Sequence, residues 1–302
     1  MKILLLGYSG LAKKKLIPTF LNISLPFSVA SKINRKKIYG AYDQFKSYEE
    51  GLRNSSADTV YISLPNSEHY RWAKKALNYR YHVIVDKPIC ETVSQMKGLL
   101  QCAKKNKRLL AESTFFNYHK QIDVSIKLSG GLRKINHIHV NFIIPYPKKN
   151  SLLMSKRFKG GAFMDMSPYA ASVARIFFNE KIISKKIIIK KNNKNLITSF
   201  NLLYEYPNGI YSGCFKFGGQ YHNELFIYTD KKTIKINRIF APPHDQRLDL
   251  LIKENNKEYY HKINYSNSFE NFLREVQNKI KKNEFYFYFN RMMSDNLFRN
   301  NI

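Results

Sequence analysis

The sequence predicts an α/β protein in two domains. Residues 1–116 read as a doubly wound parallel sheet, and residues 117–302 as an α+β domain built on a mainly antiparallel, open sheet. Three observations carry this reading. Short apolar runs alternate with helical patterns up to about residue 112. From about residue 135 the pattern shifts to a period of two. A chain of 302 residues is also longer than one typical domain.

Residues 2–7, Lys-Ile-Leu-Leu-Leu-Gly, form a buried strand, and a Gly/Ser turn then feeds a helix running to about Leu21. Further strands fall at 27–30, 58–64, 81–85 and 108–112. Helical spacing over 67–78 groups His69, Trp72, Ala73, Ala76 and Leu77 on one face, and 93–105 reads as another helix. Over 135–143, Ile138, Val140 and Phe142 take one face while His137, His139 and Asn141 take the other. A helix over 163–178 follows. The strands 185–190, 196–206, 209–217, 224–229 and 231–237 then make a sheet with one face open to a partner. Turns at Pro207-Asn208-Gly209 and Asp230-Lys231 punctuate it.

Composition narrows the class. A hydrophobic fraction of 44% is ordinary for a globular protein. The apolar stretch 3–6, ended by Gly7, is too short for a signal-peptide core, and no later run approaches a membrane span. Cys90, Cys102 and Cys214 show neither a paired framework nor metal spacing. A cytoplasmic protein without membrane association is expected. The net charge of +29 raises the prospect of a nucleic-acid partner. It is spread along the chain, mostly as lysine, beside abundant Asn, Ile, Tyr and Phe, and all five residue types have A/T-rich codons. Genome composition accounts for it. Lys13-Lys14-Lys15, Lys185-Lys186 and Lys190-Lys191 read as solvated faces, and no nucleic-acid motif accompanies them, so no specific nucleic-acid partner is expected.

Four elements are candidates for chemistry. The turn Gly7-Tyr8-Ser9-Gly10-Leu11-Ala12 stands at the first strand–helix junction, where a dinucleotide fold aims backbone N–H groups at a pyrophosphate. Gly7 supplies the turn and Ala12 the close packing, with Ser9 where the middle glycine of the fingerprint usually stands. At the end of the second strand, Ala30-Ser31-Lys32, with Arg35 close behind, replaces the acid that binds a ribose 2′-hydroxyl. Ser31, Lys32 and Arg35 suit a 2′-phosphate, which favours NADP(H) and keeps NAD(H) as the alternative. Asp86-Lys87-Pro88 follows the 81–85 strand at its carboxyl edge, where ligands of such sheets bind. A lysine there donates to a substrate oxygen or moves a proton. In Gly160-Gly161-Ala162-Phe163-Met164-Asp165-Met166-Ser167-Pro168-Tyr169, Asp165 and Tyr169 are four apart and share one helix face. His137 and His139 have no evident third ligand and read as surface histidines, so no metal is expected. His119 lies near the domain boundary, and Cys90 reads as a small buried hydrophobe.

In this order and spacing the elements resemble the Gfo/Idh/MocA family of sugar and inositol oxidoreductases, over essentially the whole chain. The resemblance includes Leu64-Pro65-Asn66 followed by His69 and Ala73, and it places Leu64, Pro65, Asn66 and His69 among the cofactor-binding residues together with Asp86 and Lys87. It implies an N-terminal Rossmann domain and a second domain for substrate binding and homo-oligomerisation. Lys87 matches the family lysine beside the nicotinamide and the reacting sugar carbon, with Asp86 replacing the usual Glu. Asp165 matches the family aspartate, and Tyr169 stands where a histidine is usual. Ser9 and Lys159 occupy positions that are usually glycine. The resemblance implies NAD(P)-dependent hydride transfer at a sugar or nucleotide-sugar carbon, with Lys87, Asp165 and Tyr169 catalytic. The contrasting reading is a non-catalytic dinucleotide-binding regulator or a decayed family member. A homodimer or larger assembly through the open sheet face is expected.

Overall fold

The computed structural model describes every residue of 1–302 except Arg35 and Asn179. Arg35, one of the expected 2′-phosphate residues, therefore lies outside the described residues. The chain divides into two compact units. The first comprises Met1–Ser113 together with Phe272–Asn300, and the second comprises Thr114–Asn271 with Asn301–Ile302. This differs from the expected division at residue 116, because residues 272–300 return to the first unit. The sequence after residue 263 carries no strand–helix alternation, so nothing in its local pattern tells which core it joins.

The first unit holds a six-stranded, all-parallel sheet in the order β3-β2-β1-β4-β5-β6. The strands are β1 (Ile3–Leu6), β2 (Phe27–Ala30), β3 (Ala41–Phe45), β4 (Thr59–Ile62), β5 (His82–Val85) and β6 (Leu110–Glu112). Every residue of β1 is fully buried, as expected for a central strand covered on both faces. The order reverses direction after β1, which places the carboxyl ends of β1 and β4 beside a topological switch point. β3 was not legible in the sequence. Its Tyr42, Asp43 and Gln44 break the apolar run, because an edge strand needs to pair on one side only.

Helices join these strands: α1 (Ile17–Asn22), α2 (Tyr48–Asn54), α3 (Asn66–Asn78) and α4 (Val93–Asn106). A wide π-type turn at Ala12–Leu16 opens α1. On α3 the buried residues are His69, Trp72, Ala73, Ala76 and Leu77, the stripe expected from the spacing. Thr92 caps α4 by accepting the Gln95 N–H over 3.2 Å.

In the second unit, α5 (Gln121–Leu128) precedes an eight-stranded sheet ordered β14-β13-β12-β11-β7-β10-β9-β8. Its strands are β7 (His137–Ile144), β8 (Ser184–Lys191), β9 (Ile197–Tyr206), β10 (Gly209–Phe217), β11 (His222–Tyr228), β12 (Lys232–Asn237), β13 (Leu248–Glu254) and β14 (Lys257–Ile263). All its pairings are antiparallel except that of β7 with β10. α6 (Ala162–Phe178) lies between β7 and β8 in sequence and packs on one face, with Phe163 against Phe200 and Phe178 stacked on Tyr206. Ile138, Val140 and Phe142 are buried, and His137, His139 and Asn141 point the other way. α7 (Ser268–Lys281) and α8 (Phe289–Asn300) end the chain. Among the described residues, no helix is long and apolar enough to cross a membrane.

Candidate functional site

The turn after β1 is built around two small residues. Gly7 has φ +97°, and a Cβ there would lie 2.3 Å from the carbonyl oxygen of Ser63. Only glycine fits. Nothing lies within 4 Å of a Cβ built on Gly10, so the backbone is open to close approach there. These features fit a dinucleotide pyrophosphate at the helix start. Ser9 replaces the usual middle glycine, and its hydroxyl accepts the Ala12 N–H over 3.0 Å. It also lies 2.7 Å from the Ser63 hydroxyl. Tyr8 sits below Lys13, whose ammonium is 4.5 Å from its ring centroid.

At the end of β2, Ser31 is buried and its hydroxyl accepts the N–H groups of Asn34 at 3.0 Å and Ile33 at 3.4 Å. That oxygen shapes its own loop. The Lys32 ammonium stands 5.0 Å from the ring centroid of Tyr48 and 6.0 Å from that of Trp72. Aromatic faces thus fix a cation at the strand end, where the acid of an NAD-specific protein would be.

The loop after β5 is the most heavily tied segment of the first unit. The Asp86 carboxylate accepts from Tyr61 Oη and Ser63 Oγ, both at 2.7 Å, and from Ser113 Oγ at 3.2 Å. Burial, then the Asp86 charge, push the Tyr61 hydroxyl well above its ordinary pKa, so it stays a donor. His69 is 1% exposed, with Nδ1 2.7 Å from the Pro88 carbonyl oxygen and Nε2 2.8 Å from that of Leu64. It joins the Leu64-Pro65-Asn66 turn to the segment that carries Lys87. Next along, the Ile89 N–H donates to Glu112 Oε2 over 2.7 Å, and Arg299 Nη1 donates to the Cys90 carbonyl oxygen over 3.1 Å. Burial raises the Glu112 carboxyl, while the charges of Arg299 and, more weakly, Lys87 lower it. Burial pushes the Cys90 thiol up to about 12, so it is inert, as a small buried hydrophobe should be.

In the second unit, Asp165 lies in the first turn of α6 and Tyr169 one turn on; both are half-exposed amid buried neighbours. The Tyr169 ring is held in an aromatic nest, with centroids 4.7 Å from Phe240, 5.4 Å from Phe142 and 5.7 Å from Phe116. Few rotamers remain, so the hydroxyl is fixed by packing. Lys159 has φ +55°, which explains why this position ordinarily takes glycine. His119 is buried, and its Nδ1 accepts the Gln121 N–H over 3.2 Å. His137 Nε2 and His139 Nδ1 each lie 2.8 Å from the Ser212 hydroxyl on the open sheet face.

Residues 28–114 match the family model for the Gfo/Idh/MocA proteins, described as an oxidoreductase family with an NAD-binding Rossmann fold. Residues 28–114 of this chain thus carry the Rossmann fold of that oxidoreductase family. An uncharacterised oxidoreductase of Rhizobium meliloti is 27% identical over 58% of this chain and 55% of its own length. The dTDP-3,4-didehydro-2,6-dideoxy-alpha-D-glucose 3-reductase of Streptomyces antibioticus is 24% identical over 65% of this chain. The chain spans 61% of the length of that reductase. Among solved structures, the 3-ketoreductase KijD10 of Actinomadura kijaniata, in complex with TDP-benzene and NADP, has the same fold. Its TM-score is 0.88 at 18% identity, over 100% of this chain and 96% of that one. Other solved forms of KijD10 carry a lysine changed to alanine or glutamate, or a tyrosine changed to phenylalanine.

In this chain, local sequence singles out Asp86, Lys87 and His69 but not their partners. Tyr61, Ser63 and Ser113 sit at strand ends, where hydroxyl residues are common and carry no spacing signal. Glu112 and Arg299 are 187 residues apart, and only the fold brings the terminal helix back to the Lys87 loop.

Proposed function

We propose that this protein is an NADP-dependent oxidoreductase that moves a hydride between nicotinamide and a sugar or nucleotide-sugar carbon. The observation that carries the reading is the pinned loop of Asp86 and Lys87 at the carboxyl edge of a parallel sheet whose first turn requires Gly7. The likeness to a ketoreductase solved with NADP and TDP-benzene supports it. Gly7, Ser9 and Gly10 would hold the pyrophosphate at the helix start, and Ser31 and Lys32 the adenosine end. Bound nicotinamide supplies the hydride chemistry itself.

The residues of the chain then supply charge and protons. Lys87 stabilises the alkoxide that develops during reduction, because a cation fixed in advance costs no reorganisation at the transition state. Tyr169 delivers the proton from a ring that packing holds still, and Asp165 orients the donor or the substrate. With three hydroxyl donors on its carboxylate, Asp86 fixes the backbone from which Lys87 projects. A regulator without turnover would not need Lys87, Asp165 and Tyr169 together.

The test is NADPH oxidation against a panel of free and nucleotide-linked ketosugars, run beside NADP⁺ reduction with the corresponding alcohols. Wild type should turn over at least one saccharide, and Lys87→Ala should lower turnover about two to four orders of magnitude. Equal turnover by Lys87→Ala would remove the assignment.

The open sheet face supports a homodimer or larger assembly. Ile188, Leu203 and Ile210 share it with His137 and His139 and are 51%, 48% and 41% exposed. A monomer by light scattering at micromolar concentration would count against pairing. The thiols of Cys90, Cys102 and Cys214 are all unbridged, which supports a cytoplasmic setting.

A further inference from the structure

The segment between β7 and α6 contains Lys148, Lys149, Lys156, Arg157 and Lys159, and no acid before Asp165. It folds against the β8–β9 hairpin to form a concavity of about 410 Å³, lined among others by Lys149, Asn150, Ser151, Ser155, Lys156 and Lys194. No acidic side chain lines it. Among the described residues, none of the ammonium groups of Lys149, Lys156 and Lys194 is paired with a carboxylate. The hydroxyl of Ser151 is buried there without a hydrogen-bond partner. A buried hydroxyl with its bonds unspent is costly and calls for an explanation.

Both walls are fixed by backbone. Met154 N–H donates to the Ser151 carbonyl oxygen and Ser155 N–H to that of Leu152, at 3.0 and 3.2 Å. A Cβ on Gly160 would lie 2.5 Å from the carbonyl oxygens of both Leu152 and Leu153, so this wall closes only over glycine. Opposite, Asn192 Oδ1 accepts the N–H groups of Lys194 and Leu196, each at 3.0 Å, which sets the hairpin tip. The wall leads through Gly160 and Gly161 directly into α6, which carries Asp165 and Tyr169.

We propose that this concavity binds the diphosphate of a nucleotide-linked sugar. The inference rests on the oxidoreductase reading and specifies its substrate class. A neutral sugar would be met by mixed donors and acceptors. Here clustered cations and donating hydroxyl and amide groups face the site without an acid, which suits a multiply charged anion. Lysines on flexible stems act as point charges for such a group, and their lack of carboxylate partners leaves their charge uncompensated.

Calorimetric titration of the full chain with inorganic pyrophosphate and with thymidine diphosphate tests this. Wild type should bind both, competitively, with affinity that falls as salt rises. The triple variant Lys149→Ala/Lys156→Ala/Lys194→Ala should bind both at least about tenfold more weakly. Ser151→Ala, which removes one hydroxyl, should weaken both by less. The thermal midpoint and NADPH affinity of each variant report that the fold is kept. Failure of wild type to bind pyrophosphate, or equal binding by the triple variant, would overturn the proposal. Lysine-dependent pyrophosphate binding with unchanged thymidine diphosphate binding would mark a site for free anions and overturn the substrate assignment. If no saccharide is turned over and NADPH is not bound, while both diphosphates still need the lysines, the oxidoreductase reading fails and the anion site stands.

Discussion

The hydroxyl of Ser9 lies 2.7 Å from the hydroxyl of Ser63. Ser63 donates onward to Asp86 Oδ2 over 2.7 Å, and Ser9 accepts the Ala12 N–H, so the donors run in one direction from the glycine turn to the Lys87 loop. Such a chain is cooperative, because each donor polarises the next. A serine in place of the usual glycine is therefore a structural tie between two loops. Ser63→Ala removes the central link and leaves Asp86 Oδ2 one donor short in a part-buried site. Its stability should fall by about 1–3 kcal/mol by denaturant unfolding, and Ser9→Gly should cost less. A Ser63→Ala protein as stable as wild type would show that the chain carries no energy.

Much of this was legible in advance, and the exceptions share a cause. The central strands β1, β2, β4 and β5 read directly, because burial on both faces forces continuous apolar runs. Asp86, Lys87, Asp165 and Tyr169 stand out as candidates because strand ends and i,i+4 helix positions are properties of local sequence. β3 was missed as a polar edge strand. β13 and β14 were missed because Tyr259, Tyr260 and a run of charges mask their alternation. The partners of Asp86 and the return of Arg299 to Cys90 depend on long-range packing, which no local period encodes.

Two buried histidines set an acid limit on stability. Burial is the main cause that lowers His82 and His119 to about 4 from an ordinary 6.5. Each accepts a backbone N–H at Nδ1, His82 from Leu109 and His119 from Gln121, which requires that nitrogen to be unprotonated. Between pH 6.5 and 4 the unfolded chain binds more protons at these sites than the folded one. Their contribution is thus complete above about 6.5 and is lost as pH falls toward 4, by about 3 kcal/mol per histidine at most. The thermal midpoint should drop between pH 7.5 and 5, and His82→Gln should flatten that slope. A midpoint that holds steady to pH 5 would contradict the argument.

Cofactor preference should follow Lys32. Its ammonium is held over Tyr48 and Trp72 at the end of β2, where a 2′-phosphate would need a cation. Wild type should bind NADPH more tightly than NADH, and Lys32→Ala should lose roughly tenfold for NADPH while keeping its NADH affinity. Trp72 is the single tryptophan of the chain, so its fluorescence reports both titrations from beside the site. Equal affinities in wild type, or a variant weakened alike for both cofactors, would dismiss the preference.

Tyr169→Phe separates proton delivery from packing. The ring lies in a nest of Phe116, Phe142 and Phe240, and phenylalanine keeps those contacts while deleting only the hydroxyl. Stability should therefore change by less than about 1 kcal/mol, and NADPH affinity should hold. If Tyr169 is the acid, turnover should fall by about two orders of magnitude or more, and the pH–rate profile should lose its basic limb. Under the proposed mechanism Lys87 and Tyr169 serve the same alkoxide, and their effects should then not add. The double variant Lys87→Ala/Tyr169→Phe should be little worse than the poorer single one. Fully multiplicative losses would mean that the two residues act at separate steps. Wild-type turnover in Tyr169→Phe would move the acid to another group, with Lys87 next to be tested.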